Sequence, residues 1–298
     1  MRVVRTVSQL REALTPARRA GDRIGLVPTM GALHEGHLSL IRRARAECGV
    51  VVVSLFVNPA QFNEQADLDR YPRDEQRDGA LAAEAGADLL FAPSVEEVYP
   101  PGFATSVEVL GVSERLEGAA RGPEHFRGVA TVVTKLFAMA LPDVAYFGRK
   151  DAQQVVVIRR LVADLDLPVQ VRALPTVREP DGLAMSSRNA LLSGASRERA
   201  LALPNALRAA AERAAAGERS AEELLAAGHE VLDGAEGVEL EYLALVDPDS
   251  FEPVERLDGP ALLAVAARVG GVRLIDNEML APLSSERPRG KAIQTCSA

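Results

Sequence analysis

Tryptophan is absent from this chain of 298 residues, and aromatic side chains of every kind make up only 4% of it. Proteins that grip single-stranded nucleic acid stack bases on aromatic rings, so that platform is missing. The formal charge of -8 at pH 7 also points away from a nucleic-acid surface. Cysteine occurs only at Cys48 and Cys296, at no metal or redox spacing. No disulfide framework is expected, and a reducing compartment suits the chain. No run of about 18 apolar residues is present, so no membrane span is expected. The N-terminus lacks the apolar stretch of a signal peptide. Neither a Walker A motif nor a G-x-G-x-x-G after a strand occurs, which disfavours P-loop kinases and dehydrogenases. Lysine is scarce as well, occurring only at Lys135, Lys150 and Lys291.

What is present is enough chain to bury a sizeable core, as one large domain or two smaller ones. Strands are predicted over Ile24–Pro28, Val50–Val57, Asp88–Phe91, Ala145–Phe147 and Val169–Leu174. Helices are predicted from His37 onward and over Asp74–Ala85, Val129–Ala140 and Asp151–Asp164, with a hairpin-like stretch around Thr105–Val109. Strands spaced by helices of about ten to fifteen residues imply βαβ units and a mainly parallel α/β sheet. After about Pro175 the composition changes. An Ala-rich helical stretch covers Ser196–Ala216, and Ser220 and Glu223 form a capping-box pattern. Strand character returns over Val238–Val246, Ala261–Ala267 and Val272–Ile275, the last two joined by a Gly-Gly turn. These features describe a second, smaller α+β domain. The boundary near 175–185 gives domains of 1–178 and 179–283, followed by a polar, frayed tail over 284–298.

Parallel sheets bind ligands beyond the C-terminal ends of their strands, and four loops with chemical content fall just there. Two histidines, His34 and His37, form an H-x-G-H motif between Gly31 and a helix start. Orphan N–H groups and the helix dipole favour phosphate at such a place, and imidazoles can donate to a phosphoryl group. Metal ligation and ordinary loop histidines are the alternatives, but two ligands alone make a poor zinc site. The second loop carries Asn58, Pro59 and Gln61, which suit either a small polar ligand or a plain Asn-Pro turn. The third, Gly148-Arg149-Lys150-Asp151, offers a mobile phosphate clamp in Lys150, with Gln154 one helical turn further on. Its bland reading has Asp151 as a helix N-cap and Lys150 in solvent. The fourth, Met185-Ser186-Ser187-Arg188-Asn189, supplies two hydroxyls and a guanidinium fork for a triphosphate, or an exposed Ser-rich turn. Arg127, at the predicted helix start, suits a carboxylate, a phosphate or plain solvent. The charged stretch over 66–78 reads as a solvated face. Asp276 and Glu278 show no partner pattern.

Taken together these motifs resemble the pantothenate synthetase (pantoate–β-alanine ligase) family. The resemblance runs through Pro28–His37, Phe56–Phe62, His125–Val133, Tyr146–Gln154 and Met185–Asn189, in order and spacing over residues 1 to 280. H-x-G-H alone marks a whole nucleotidyltransferase superfamily; the set is specific. The resemblance implies a Rossmann-like nucleotidyltransferase domain, a homodimer in the cytoplasm, and condensation of (R)-pantoate with β-alanine using ATP and Mg²⁺. A pantoyl adenylate would form first, releasing pyrophosphate, and the amine would then displace AMP.

It also implies roles. His34, His37 and Lys150 would act on the ATP phosphates, and Ser186, Ser187 and Arg188 would close over the triphosphate. Met30, Gly148, Asp151, Val177 and Met185 would contact the nucleotide. Pro28, Thr29, Met30, Gln61 and Gln154 would hold pantoate. No residue is assigned to the metal. The second domain would act as a lid. An adenylyltransferase acting on a mononucleotide or on phosphopantetheine is the nearest rival. A non-catalytic nucleotide-binding protein is the rival from another class.

Overall fold

A computed structural model describes residues 1–63 and 65–282. The expected tail over 284–298, with Cys296, lies outside the described residues. The chain opens on β1 (Arg2–Val4), α1 (Val7–Ala20), β2 (Ile24–Thr29) and α2 (Glu35–Glu47). Then come β3 (Val50–Leu55), α3 (Gln65–Arg70), α4 (Glu75–Glu84), β4 (Leu89–Phe91) and α5 (Val95–Val98). The elements α6 (Glu117–Arg121), α7 (Pro123–Ala140), β5 (Val144–Gly148), α8 (Ala152–Asp164) and β6 (Gln170–Leu174) complete the first unit.

Its six strands form one parallel, Rossmann-like sheet in the order β1-β4-β3-β2-β5-β6. From β2 the chain steps outward through β3 to β4, then returns to lay β5 on the other side of β2. Loops leaving β2 and β5 therefore diverge, and a crevice opens between them at the carboxyl edge. Both faces of the sheet are covered. Leu26 and Val52 pack with α1, α7 and α8, whereas Val27, Val51 and Val53 pack with α2 and α4. Burial on both faces is why these strands read as unbroken apolar runs.

The second unit follows with α9 (Gly194–Ala200), α10 (Ala202–Ala215) and α11 (Ala221–Asp233). Three antiparallel strands, β7 (Val238–Val246), β8 (Ala261–Val269) and β9 (Val272–Leu280), lie in that order. Gly270 and Gly271 make the β8–β9 turn with φ of +57° and +79°, the left-handed region open to glycine. The two faces of β8 serve different partners. Leu263, Val265 and Ala267 pack with α10 and α11, while Leu262 and Ala264 join Val246 and Phe251 against Leu116, Ala152 and Val156 of the first unit.

Several expectations are corrected. Thr105–Val109 forms no hairpin: the Val107 N–H donates to Thr131 Oγ1 at 2.9 Å instead of to a second strand. The helix expected from Val129 starts at Pro123, where proline's missing N–H costs nothing and its φ is preset. The Ala-rich stretch is two helices, broken at Leu201. The last strand runs to Leu280 instead of stopping near Ile275. Ahead of the first expected strand lie β1 and α1, the latter fixed by a Thr6–Gln9 capping box and by Gly21 at φ +76°.

Candidate active site

All the residues expected to act on ATP or pantoate line one cavity of about 240 Å³ between the two units. It opens at the carboxyl ends of β2 and β5. One wall is apolar, formed by Phe126, Val129, Val132, Val133 and Phe147. The second unit contributes Tyr242, Phe251, Leu262 and Asn277.

The H-x-G-H loop is a helix cap built from imidazoles. His34 occupies the N-cap of α2, and its Nδ1 accepts the Gly36 N–H at 3.2 Å. His37 Nδ1 accepts the His34 N–H at 3.4 Å. The two rings lie 4.2 Å apart, centroid to centroid. Each Nδ1 thus serves as an acceptor, and a neutral imidazole in that role carries its proton on Nε2. Burial first, then the Lys150 charge, pushes His34 down to about 4. Burial, the neighbouring His34 and Lys150 push His37 down to about 3. Both rings are therefore neutral N–H donors at pH 7.

The same loop is anchored from below by Asp78, which is 1% exposed. Its two carboxylate oxygens accept the N–H groups of Ala32 (2.7 Å) and Leu33 (2.8 Å). In the stretch over 66–78, expected to be a solvated face, the charged residues Asp69, Arg70, Arg73, Asp74, Glu75 and Arg77 are exposed, and Asp78 is the exception. In the same stretch Tyr71 is buried, and its hydroxyl lies 3.4 Å from Ser187 Oγ.

Gln61 sits in the 3-10 turn Pro59–Gln61 that follows β3. Its Oε1 accepts from Asn58 Nδ2 at 2.9 Å, which leaves Nε2 as the donor, 3.2 Å from Met30 Sδ. Asn58 is itself fixed, donating to Gly128 O at 3.1 Å and accepting from the Tyr99 hydroxyl at 2.8 Å. The turn packs on α7 so closely that a Cβ on Gly128 would lie 2.2 Å from the Ala60 carbonyl oxygen. Thr29 spends its hydroxyl locally, donating to Ser54 O at 2.8 Å and accepting from Gly31 N at 3.3 Å.

Lys150 is not in solvent. Its side chain is 18% exposed, and its nearest carboxylate is Asp151 at 3.8 Å. Asp151 stands at the N-cap position of α8 without making the side-chain capping bond, so the capping expectation is corrected to a half-exposed carboxylate facing the cavity. Gln154 lines the same wall one turn later. Met185 N donates to Val177 O at 2.9 Å, bringing both beside the Ser186–Arg188 turn. Ser186 Oγ caps that turn by accepting the Arg188 N–H at 3.2 Å. Arg127 belongs to the solvated alternative: it pairs with Glu124 at 3.5 Å and its side chain is 42% exposed.

Three features of the site went unread in the sequence. Gln153 donates to Val112 O and Arg115 O, both at 2.8 Å, and accepts the Glu117 N–H at 3.0 Å. Glu117 then takes a two-pronged ion pair from Arg273 (2.7 and 2.8 Å) and a bond from the Tyr242 hydroxyl at 2.7 Å, crossing from one unit to the other. Burial alone would raise the Glu117 carboxyl, but Arg273 holds it below the usual carboxylate range. Asp276, for which the sequence shows no partner pattern, is 3% exposed and takes two bonds from Arg178, at 2.6 and 3.1 Å; Glu278 adds a longer contact to Arg178 at 3.5 Å. Partners about a hundred residues apart leave no local pattern to read.

Comparison with known proteins gives a consistent result. A family model described as pantoate-beta-alanine ligase matches residues 2–279. The pantothenate synthetase of Cereibacter sphaeroides is 56% identical over 276 residues, covering 92% of this chain and 98% of the relative. That of Rhizorhabdus wittichii is 53% identical over 282 residues, with 95% and 99% covered. The crystal structure of pantothenate synthetase from Thermus thermophilus superposes with a TM-score of 0.90 at 51% identity, covering 95% of this chain and 100% of that one. The pantoate-beta-alanine ligase of Francisella tularensis, solved in complex with beta-gamma ATP and beta-alanine, gives a TM-score of 0.77 at 36% identity, with 94% and 97% covered.

Proposed function

We propose that this chain, which belongs to the pantoate–β-alanine ligase family, joins (R)-pantoate to β-alanine with ATP through an enzyme-bound pantoyl adenylate. A carboxylate is a poor acyl donor because oxide is a poor leaving group. Attack of a pantoate carboxylate oxygen on the α-phosphorus of ATP expels pyrophosphate and leaves a mixed anhydride. The β-alanine amine then attacks the acyl carbon, AMP leaves with that oxygen, and the amine proton passes to solvent. Neither step needs a protein nucleophile; both need positioning and stabilisation of developing charge.

The observation that carries this reading is the convergence of two neutral imidazole donors and Lys150 on one crevice that the Gln61 amide also lines. His34 and His37 would offer Nε2–H to phosphate oxygens, and Lys150 would follow the charge as it moves to pyrophosphate. Ser186, Ser187 and Arg188 would close on the triphosphate; Met30, Gly148, Asp151, Val177 and Met185 would hold the rest of the nucleotide. Gln61 Nε2 and Gln154 would grip pantoate beside Pro28, Thr29 and Met30, with its methyl groups against the apolar wall.

Among the described residues no three or more His, Cys, Asp or Glu side chains are grouped to hold a metal ion. Mg²⁺ would enter with the triphosphate, whose oxygens would supply its protein-independent ligands. Residues 1–178 would form the catalytic unit and 179–283 the closing unit, shielding the anhydride from water. Among the described residues no helix is long and apolar enough to cross a membrane. A cytoplasmic homodimer acting on small molecules, without nucleic acid, completes the proposal.

Oxygen-18 labelling tests the chemistry. With pantoate labelled in its carboxylate, one labelled oxygen should appear in AMP. Label in inorganic phosphate, with ADP as co-product, would instead mean an acyl phosphate and overturn the adenylate.

A further inference from the structure

Strand β9 reaches out of the second unit and touches the turn that carries Lys150. Asn277 Nδ2 donates to the carbonyl oxygens of Lys150 at 2.8 Å and Arg149 at 3.1 Å. One amide nitrogen carries two diverging N–H bonds, so a single side chain can hold two successive carbonyls. Asn277 is itself fixed. Its own N–H donates to Asp276 Oδ1 at 2.8 Å, and β9 pairs throughout with β8. The neighbouring Asp276 takes both prongs of Arg178, which also donates to Gly182 O at 3.1 Å in the turn leading to Ser186–Arg188. Two adjacent residues of β9 thus fasten two loops that come from distant parts of the chain.

Among the described residues Lys150 has only a loose carboxylate neighbour at 3.8 Å, which does little to fix where its ammonium group sits. Its placement depends on the backbone of the 3-10 turn Arg149–Asp151, and that turn is what Asn277 holds. We infer that Asn277 is a positioning residue for the adenylation step: from the second unit it sets the Lys150 turn, so that the ammonium group meets the phosphates only when β9 is docked. This rests on the ligase reading above. It gives the second unit a part in assembling the phosphate site as well as in covering it.

A double-mutant cycle tests it in the full chain. Asn277→Ala should lower kcat for pantoate-dependent pyrophosphate release about tenfold, with KM for ATP within about threefold, because misplacing a catalytic group costs rate more than ground-state binding. Asn277→Asp, of the same shape but without side-chain N–H bonds, should lose as much. In a Lys150→Ala background, Asn277→Ala should change the rate by less than about twofold. Unchanged kcat in both Asn277 variants, or the same tenfold loss with and without Lys150, would overturn the inference.

Amide hydrogen exchange over residues 149–153 reports on the turn without any substrate. Faster exchange in Asn277→Ala is expected, and unchanged protection would overturn the inference whatever the enzyme's reaction. A wild-type protein that exchanges as expected but releases no pyrophosphate would overturn the ligase reading and the catalytic role assigned to Asn277 together.

Discussion

The backbone N–H of His34 donates to Nδ1 of His37 at 3.4 Å, so the second histidine of the motif caps the residue that holds the first. The Gly36 N–H does the same for His34 Nδ1 at 3.2 Å. A pattern usually built from hydroxyl and carboxamide groups is made here by two imidazoles, and their remaining nitrogens are left for the cavity. Replacing either ring removes a cap and, on the proposed roles, a donor to the phosphates. His34→Ala and Lys150→Ala should each lower adenylate formation at least about tenfold, measured in a single turnover. Near-normal rates in either variant would remove that residue from the chemistry.

The buried histidines set a direction for acid stability. His34 and His125 are pushed down to about 4 and His37 to about 3, from an ordinary value of 6.5. Between those values and 6.5 the unfolded chain binds protons that the folded chain refuses, so stability falls as pH falls. The urea midpoint of the free protein should be level above about pH 6.5 in respect of these groups and drop steadily below it. A midpoint that rises on acidification from about pH 6.5 to about 4.5 would mean that the rings are charged in the fold.

Asp78 holds the H-x-G-H loop by two backbone N–H groups. Asp78→Ala would leave both buried without a partner, at about 1–3 kcal/mol each. Urea unfolding should show the loss, and ATP-dependent activity should fall with it. A stability within about 0.5 kcal/mol of wild type would contradict the anchoring role.

Gly128→Ala sets a methyl group 2.2 Å from the Ala60 carbonyl oxygen and 2.7 Å from the Gln61 N–H nitrogen, both backbone atoms. The turn bearing Gln61 must move off α7. The expected result is a loss of about 2 kcal/mol or more in stability and a raised KM for pantoate, with KM for ATP affected less. Equal changes in both KM values would place the effect elsewhere than at Gln61.

The ion pair of the half-buried Arg273 with the buried Glu117 joins the two units. Arg273→Met strands the carboxylate and should cost about 3–5 kcal/mol. Adding Glu117→Gln should recover part of that, because the remaining amide is easier to bury than a lone charge. No recovery in the double variant would mean that Arg273 acts mainly through Glu241, its other partner at 2.8 Å.

The first unit was legible in its centre and obscure at its edges. Strands β2, β3 and β5 are buried on both faces, and their apolar runs announce them. α1 was missed because Pro16 interrupts its pattern, although the Thr6–Gln9 box and Gly21 mark both ends. Thr105–Val109 alternates like a strand, but its one telling bond goes to the Thr131 hydroxyl, a tertiary contact that no local pattern encodes. The loop residues of the site were readable because their types and spacing recur at strand ends. Their supports were not: Asp78 looks like one charge among many, and Asn277 and Asp276 act on partners some hundred residues away. Gln153 sits beside Gln154 in the motif and turns inward, towards Glu117, a distinction set by helix phase and not by residue type.

The most direct test of the account is pyrophosphate release from ATP with (R)-pantoate and Mg²⁺, followed before and after β-alanine is added. The account predicts about one equivalent per site from pantoate alone, held as bound adenylate, then steady formation of AMP and pantothenate once the amine arrives. Pyrophosphate release that requires β-alanine from the outset, or none from a folded sample that binds ATP, would contradict it.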